Sequence, residues 1–255
     1  MIGELKIDDL AVEIYPDRKS MGEAAAEMVG EKVISLLTER EFVNMIFAAA
    51  PSQNEFLATL ITRTDIAWDR INAFHMDEYI GLPENHPALF SSFLKKSLFS
   101  HLPFHTVNYI NGNAPDAKAE CERYADLLKR FPADIVCMGI GENGHIAFND
   151  PHVADFDDPQ LVKIVDLDLE CRQQQVNDGC FPGLNAVPTH AITLTVPALM
   201  AASYAYSIVP GKNKANAVQH TLYNKVTEQC PASILRKHHY AVLFLDAESA
   251  SLVNY

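Results

Sequence analysis

The chain predicts an α/β fold: one domain over residues 1–255, with a doubly wound, mainly parallel sheet and helices on both faces. Three observations predict it. Short apolar runs with β-branched residues alternate with amphipathic stretches of helical length, the order that builds a parallel sheet. Turn-forming residues close most of the apolar runs. No internal repeat, low-complexity stretch or linker divides the sequence, and only 152–188 is weakly patterned. An irregular segment of that length inside a compact domain is a candidate lid.

In order, Leu10-Ala-Val-Glu-Ile-Tyr15 alternates as a first strand, stopped by Pro16-Asp17. Apolar residues then recur at helical spacing from about Ser20 to Glu39. Phe42–Ala48 is a strand broken by Ala49-Ala-Pro-Ser52, and Ser52-Gln-Asn-Glu55 has the form of a capping box opening a helix to about Thr62. Ile71–Met76 is the next strand, with Asp77-Glu78-Tyr79 at its carboxyl end. A helix over about Leu89–Phe99, a strand over Val107–Ile110 and a helix over about Ala114–Lys129 follow. Ala133–Cys137 reads as a buried central strand. Leu167–Gln175 predicts a short helix, and His190–Val196, Ala205–Val209 and Tyr240–Leu245 predict the later strands. A further helix follows Gly211-Lys-Asn-Lys-Ala. Parallel strands wound in this way give a Rossmann-like sheet whose ligands bind beyond the strands' carboxyl ends.

Composition narrows the function. Hydrophobic residues make up 48% of the chain, enough for a full core, and the net charge of −13 comes from 20 basic and 33 acidic residues. An acidic excess spread along the chain disfavours a nucleic-acid or anionic-membrane partner. It leaves room for an anionic small molecule, because helix N-termini and a few local cations can hold a phosphate. The five cysteines are widely spaced with no C-x-x-C pair, which disfavours structural zinc and disulfides and fits a reducing compartment. No signal-like or membrane-spanning stretch is expected, so the reading is a soluble, cytoplasmic protein.

The stretch after the central strand, Met138-Gly-Ile-Gly-Glu-Asn-Gly-His-Ile-Ala-Phe-Asn-Asp-Pro151, concentrates the chemistry. Gly139, Gly141 and Gly144 allow a sharp turn and close approach to a ligand. His145 sits there with Glu142 and Asn143 before it and Asn149 and Asp150 after it. An imidazole titrates near neutrality, and Asp150 is close enough in sequence to orient it. Asp77 supplies a carboxylate at another strand end, with Glu78 beside it. Carboxylate plus imidazole is what enolisation of a sugar requires: one group moves a proton between adjacent carbons, the other at the ring oxygen. Ser52 and the N–H groups of its helix start, with Arg172 and Lys214, would suit a phosphate. Singly, each has a plainer reading: a loop cap, a solvated arginine, surface lysines.

Three stretches resemble the glucosamine-6-phosphate deaminase (isomerase) family. They are Phe74-His-Met-Asp-Glu-Tyr-Ile-Gly-Leu-Pro with Asn85-His86-Pro87 and Ser91-Ser92-Phe93, then Asn111-Gly-Asn-Ala-Pro-Asp with Glu120-Cys121, then Gly139–Pro151. Weaker matches lie around Arg172 and Gly211–Ala215. The resemblance implies conversion of an amino-sugar 6-phosphate to a ketose 6-phosphate and ammonia, with no metal or organic cofactor. His145 would assist ring opening and Asp77 would carry the proton from C2 to C1. Asn143 and Asp150 would complete the catalytic set, Asp150 orienting His145. Ser52, Gln53, Glu78, Gly141, Gly144, Arg172 and Lys214 would contact the substrate. Homo-oligomers are common in the family. The chain departs from the family pattern at three places: Asn143 stands for an Asp, Asp150 for a Glu, and Ala49-Ala-Pro-Ser-Gln for a Gly-rich T-G-G-T-P turn. The one-methylene-shorter Asp150 predicts a looser or water-mediated contact with His145. Two other readings stay open: a sugar-phosphate-binding protein without catalysis, and a 6-phosphogluconolactonase-like hydrolase.

Overall fold

The computed structural model describes residues 1–255. It opens on a hairpin, β1 (Gly3–Ile7) pairing antiparallel with β2 (Leu10–Tyr15). The chain then runs α1 (Arg18–Leu37), β3 (Val43–Phe47), α2 (Asn54–Leu60), β4 (Ile71–His75) and β5 (Asp77–Tyr79). Next come α3 (Phe90–Leu94), β6 (Thr106–Asn108), α4 (Ala117–Arg130), β7 (Ile135–Met138) and β8 (Val162–Asp166). The last elements are α5 (Leu169–Asn177), β9 (His190–Leu194), α6 (Val196–Met200), β10 (Tyr204–Val209), α7 (Ala215–Tyr223) and β11 (Ala241–Asp246).

Eight strands form the main sheet in the order β1-β2-β11-β10-β7-β3-β4-β6. Every pairing is parallel except β1 with β2. Strand residues point to alternate faces, and here both faces are apolar. Val43, Met45 and Phe47, Ile135 and Cys137, and Val242 and Phe244 pack on one side against α1 and α2. Ile46, Val136, Met138, Leu243 and Leu245 pack on the other, against α4 and α7. Burying one such Phe or Leu side chain stabilises a fold by about 1.5–3 kcal/mol, and two such faces explain the near-continuous apolar runs of the central strands. No helix is long and apolar enough to cross a membrane.

Four details differ from the sequence reading. The strand β1 precedes the expected first strand; its residues are half-buried or exposed, so it carries little apolar signal. Ser52 does not cap a helix: Pro51–Gln53 form a 3-10 turn, α2 starts at Asn54 without a side-chain cap, and Glu55 instead pairs with Arg18. Asp77-Glu78-Tyr79 is itself a strand, in a second antiparallel sheet of order β5-β9-β8. Finally, the weakly patterned segment 152–188 contains β8 as well as α5, capped by Asp168.

The candidate active site

The chain leaves the main sheet at Met76 and enters the second sheet at Asp77. His75, fully buried, fixes that exit. Its Nε2 accepts the Ile110 N–H at 2.9 Å, so Nδ1 carries the proton and donates to the Asp77 carbonyl, also at 2.9 Å. Burial holds the His75 pKa down at about 4, which keeps the ring neutral in that role. The Tyr124 hydroxyl bonds both the N–H and the carbonyl of His75. Sequence reading passed over His75, because a histidine inside an apolar run gives no signal of this kind.

β5 then separates two adjacent carboxylates by the alternation of a strand. Asp77 lines an open cleft and has no hydrogen-bond donor from the protein; burial, then the charge of Glu78, pushes its pKa well above the ordinary carboxylate value. Glu78 points away from the cleft. Its carboxylate accepts the N–H groups of Tyr79, Phe90 and Ser91 at 3.0, 3.0 and 2.9 Å. The expectation that Glu78 lies beside the substrate is therefore corrected: it anchors the start of α3. That anchoring places Phe90, whose ring lines the cleft and stacks on Phe148 at 5.4 Å.

The His145 loop reaches the same cleft because it docks on the same strand. Thr193 of β9 pairs with Asp77 in β5, and its hydroxyl accepts the Phe148 N–H at 3.1 Å. Asn149 holds the loop further, donating to Ile146 O and Leu194 O at 2.9 and 2.8 Å. Ala147 takes φ 48°, a left-handed conformation that a non-glycine residue keeps only where its surroundings impose it. Gly141 lies under the His145 ring: a Cβ there would come within 2.2 Å of Cε1. Gly144, at φ 85°, turns the chain; it does not line the cleft.

Behind the ring, His145 Nδ1 faces two acceptors, Asn143 Oδ1 at 2.8 Å and Asp150 Oδ1 at 3.1 Å. Two acceptors require Nδ1 to carry a proton, which leaves Nε2 free to exchange one. Asn143 also donates from Nδ2 to Asp150 Oδ1 at 3.0 Å. Burial works against the charge of Asp150, but the hydrogen bonds of His145 and Asn143 outweigh it and hold its pKa below the ordinary value. The expected loose or water-mediated contact of Asp150 is thus corrected; it is direct.

Much of the remaining lining is polar. Ser52, Arg18, Gln174, Gln175, Asp178, Asn213 and Lys214 line the cleft, with about 750 Å³ of space including the open mouth, inside the range of small-molecule sites. Lys214 is only 5% exposed, and no carboxylate lies within ion-pair distance of it. Burial lowers its pKa, with Asp178 and Glu142 opposing. Arg18 is already held by Glu55 through two contacts of 3.0 and 2.9 Å. Gln53 lies beneath the cleft, donating to Ser52 Oγ and Ile208 O. Arg172 does not line the cleft; its guanidinium donates to Leu184 O and Val187 O at 2.8 and 3.0 Å.

So Asp77, His145, Gly141, Ser52 and Lys214 meet in one cleft, Asn143 and Asp150 stand behind His145, and Gln53, Glu78, Gly144 and Arg172 lie outside the lining. Arg18, Gln174, Gln175, Asp178 and Asn213 were not anticipated. The run Gln173-Gln-Gln175 showed only helix-compatible polarity, and which of the three faces a ligand depends on how α5 docks. It docks through Gln174, whose Oε1 accepts the Glu142 N–H at 2.9 Å.

Residues 16–244 match the family described as glucosamine-6-phosphate isomerases/6-phosphogluconolactonase. A glucosamine-6-phosphate deaminase of Listeria monocytogenes serotype 4a (strain HCC23) is 35% identical over 83% of this chain and 88% of its own. That of Bacillus cereus (strain B4264) is 38% identical over 72% of this chain and 68% of its own. Among solved structures, a monomeric glucosamine-6-phosphate deaminase superimposes with a TM-score of 0.87 at 28% identity, covering 94% of this chain and 99% of its own. The 6-phosphogluconolactonase of Thermotoga maritima shares the fold at TM-score 0.75 and 21% identity, covering 93% of this chain and 99% of that one. The chain belongs to the glucosamine-6-phosphate isomerase/6-phosphogluconolactonase family.

Proposed function

We propose that the protein is an amino-sugar 6-phosphate deaminase, converting glucosamine 6-phosphate or a close hexosamine relative, with water, to the ketose 6-phosphate and ammonia. The observation that carries this reading is the shared cleft, which Asp77, His145, Lys214 and Ser52 all line. The phosphate anchors at the Lys214 end, so binding energy remote from the reacting carbons orients them. His145 Nε2 exchanges the proton that accompanies opening of the pyranose ring. Asp77, ionised, takes the proton from C2 and returns it to C1 through an enolamine, and water then displaces the amine from C2 as ammonia. Asn143 and Asp150 hold the Nδ1 proton in place during these steps. The proton transfers use these side chains without a metal or organic cofactor.

The segment 152–188 acts in this reading as a lid. Its helix α5 carries Gln174, Gln175 and Asp178 to the cleft wall, and Arg172 on the same helix would reach the phosphate after exchanging its bonds to Leu184 and Val187. A cytoplasmic location fits the five free thiols, and assembly as a homo-oligomer is open to sedimentation velocity. Ammonia release from glucosamine, galactosamine and mannosamine 6-phosphates, with 6-phosphogluconolactone opening as a control, tests the proposal. Release from at least one hexosamine phosphate is expected. Binding without turnover, or lactone hydrolysis alone, would overturn it.

A further inference from the structure

Cys171 takes no part in the proton transfers, yet it lies against the groups that support His145. The ligand atoms of His145, Asp150 and Cys171 all fall within 4.8 Å of one another, and all three residues are buried. One edge of this triangle, His145 Nδ1 to Asp150 Oδ1, is already 3.1 Å. Asp150 is 0% exposed, and its second oxygen, Oδ2, has no hydrogen-bond partner. A buried carboxylate grouped with a thiol and an imidazole, one of its oxygens reached by no N–H or hydroxyl, suits a cation.

We propose that His145 Nδ1, Asp150 and Cys171 Sγ form an inhibitory binding site for a thiophilic divalent cation, Zn²⁺ in the first instance. The donor set selects the metal. Nitrogen, oxygen and sulfur in a tetrahedron suit Zn²⁺, with bonds of about 2.0–2.3 Å, whereas Mg²⁺ and Ca²⁺ need six or more oxygen ligands. Such bonds put ligand atoms roughly 3.3–3.7 Å apart, so the triangle closes by about an ångström. The charges also balance. On binding, the thiol releases a proton to water and the imidazole proton moves from Nδ1 to Nε2, so the ring stays neutral and one thiolate plus one carboxylate neutralise the two positive charges. A neutral cluster is the form a buried site tolerates. The fourth position falls to water or to Asn143 Oδ1, which already lies 2.8 Å from Nδ1.

Two consequences follow for the enzyme, and they rest on the deaminase reading. Metal at Nδ1 replaces the proton that Asn143 and Asp150 hold, so His145 loses the tautomer it needs. It also ties α5, through Cys171, to the His145 loop, and restrains the segment that would close over the substrate.

The binding itself is tested without turnover. Titration of the full-length protein with Cd²⁺ should produce one equivalent of the ultraviolet thiolate-to-cadmium absorption, removed by a chelator. Cys171→Ser and Cys171→Ala should both lose that band, while Cys180→Ser keeps it. In the ammonia assay Zn²⁺ should lower kcat more than it raises KM. The two Cys171 variants should turn over normally without metal and need at least about tenfold more Zn²⁺ for the same inhibition. Should the Cys171 variants misfold, His145→Gln losing the cadmium band in an intact fold serves the same purpose. The proposal is overturned if the band survives loss of Cys171, or if cadmium binds without the band and His152→Gln abolishes that binding, which would put the metal at the neighbouring sulfur-free group of Asp150, His152 and Asp168. A hexosamine-phosphate assay that shows no activity leaves the cadmium result standing by itself.

Discussion

In the proposed reading the cleft has a reacting end at Asp77 and His145 and a phosphate end at Lys214, and the two are built differently. At the Asp77 and His145 end, the supporting groups are already bonded: His75 to the Asp77 carbonyl, Glu78 to three N–H groups, His145 to Asn143 and Asp150. At the Lys214 end, the groups are waiting or engaged elsewhere. Lys214 has no ion pair, Arg18 serves Glu55, and Arg172 serves two backbone carbonyls. On the proposed function, the difference follows from what each end would do. Proton transfer between carbons tolerates little positional error, so preorganisation there is worth its folding cost. Charge attraction to a phosphate is long-ranged and forgiving, so that end can assemble around its ligand.

The largest expected effect is at the prebuilt end. Asp77→Asn should lower kcat by about 10²–10⁴-fold with KM little changed, and should abolish solvent-deuterium exchange at C2. The same substitution should raise the melting temperature at neutral pH. The folded-state pKa of Asp77 lies above its ordinary value of 3.8, so its favourable contribution is full below that value and is lost as pH rises through the raised pKa. The melting difference between variant and wild type should therefore shrink as pH falls toward about 4. Equal melting curves at neutral pH would contradict the buried, unpaired carboxyl.

Next in size is Gly141→Ala, whose methyl would meet the His145 ring. A displacement of about an ångström there should cost about 10²-fold in kcat, with phosphate-sugar binding retained. Lys214→Ala should act at the other end, raising KM by about 10- to 100-fold, the worth of a hydrogen bond to a charged group, with kcat nearly unchanged. If kcat falls instead, the division between the two ends is wrong. The smallest effect is expected for Glu78→Gln. It removes the charge that, after burial, raises the pKa of Asp77, so the acidic limb of kcat/KM should move to lower pH by about one unit or less. An unmoved limb would leave burial as the sole cause.

Glu78 also shows why part of the site was illegible. Side by side in sequence, Asp77 and Glu78 are chemically near-equivalent, and only strand alternation over the second sheet decides that Asp77 faces the cleft and Glu78 faces α3. Arg172 is similar: its residue type suits a phosphate, but the carbonyls of Leu184 and Val187 hold it elsewhere. Ser52 lines the cleft although no capping box forms there, so the local pattern that singled it out is not what positions it. The hairpin strand β1 and β8 were missed because neither is an apolar run buried on both faces.

By itself the sequence determined what local pattern and residue type can determine. The apolar runs specify a parallel sheet covered on both sides, and the Gly139–Pro151 loop specifies a turn that brings backbone and imidazole together. Only the tertiary structure decided which groups meet. Asp77 and His145 lie far apart in the chain and converge because both their segments dock on Thr193 of β9. Lys214 is left without a carboxylate partner by the packing of the elements around it. Such contacts arise from long-range pairing between elements, and no short-range periodicity encodes them.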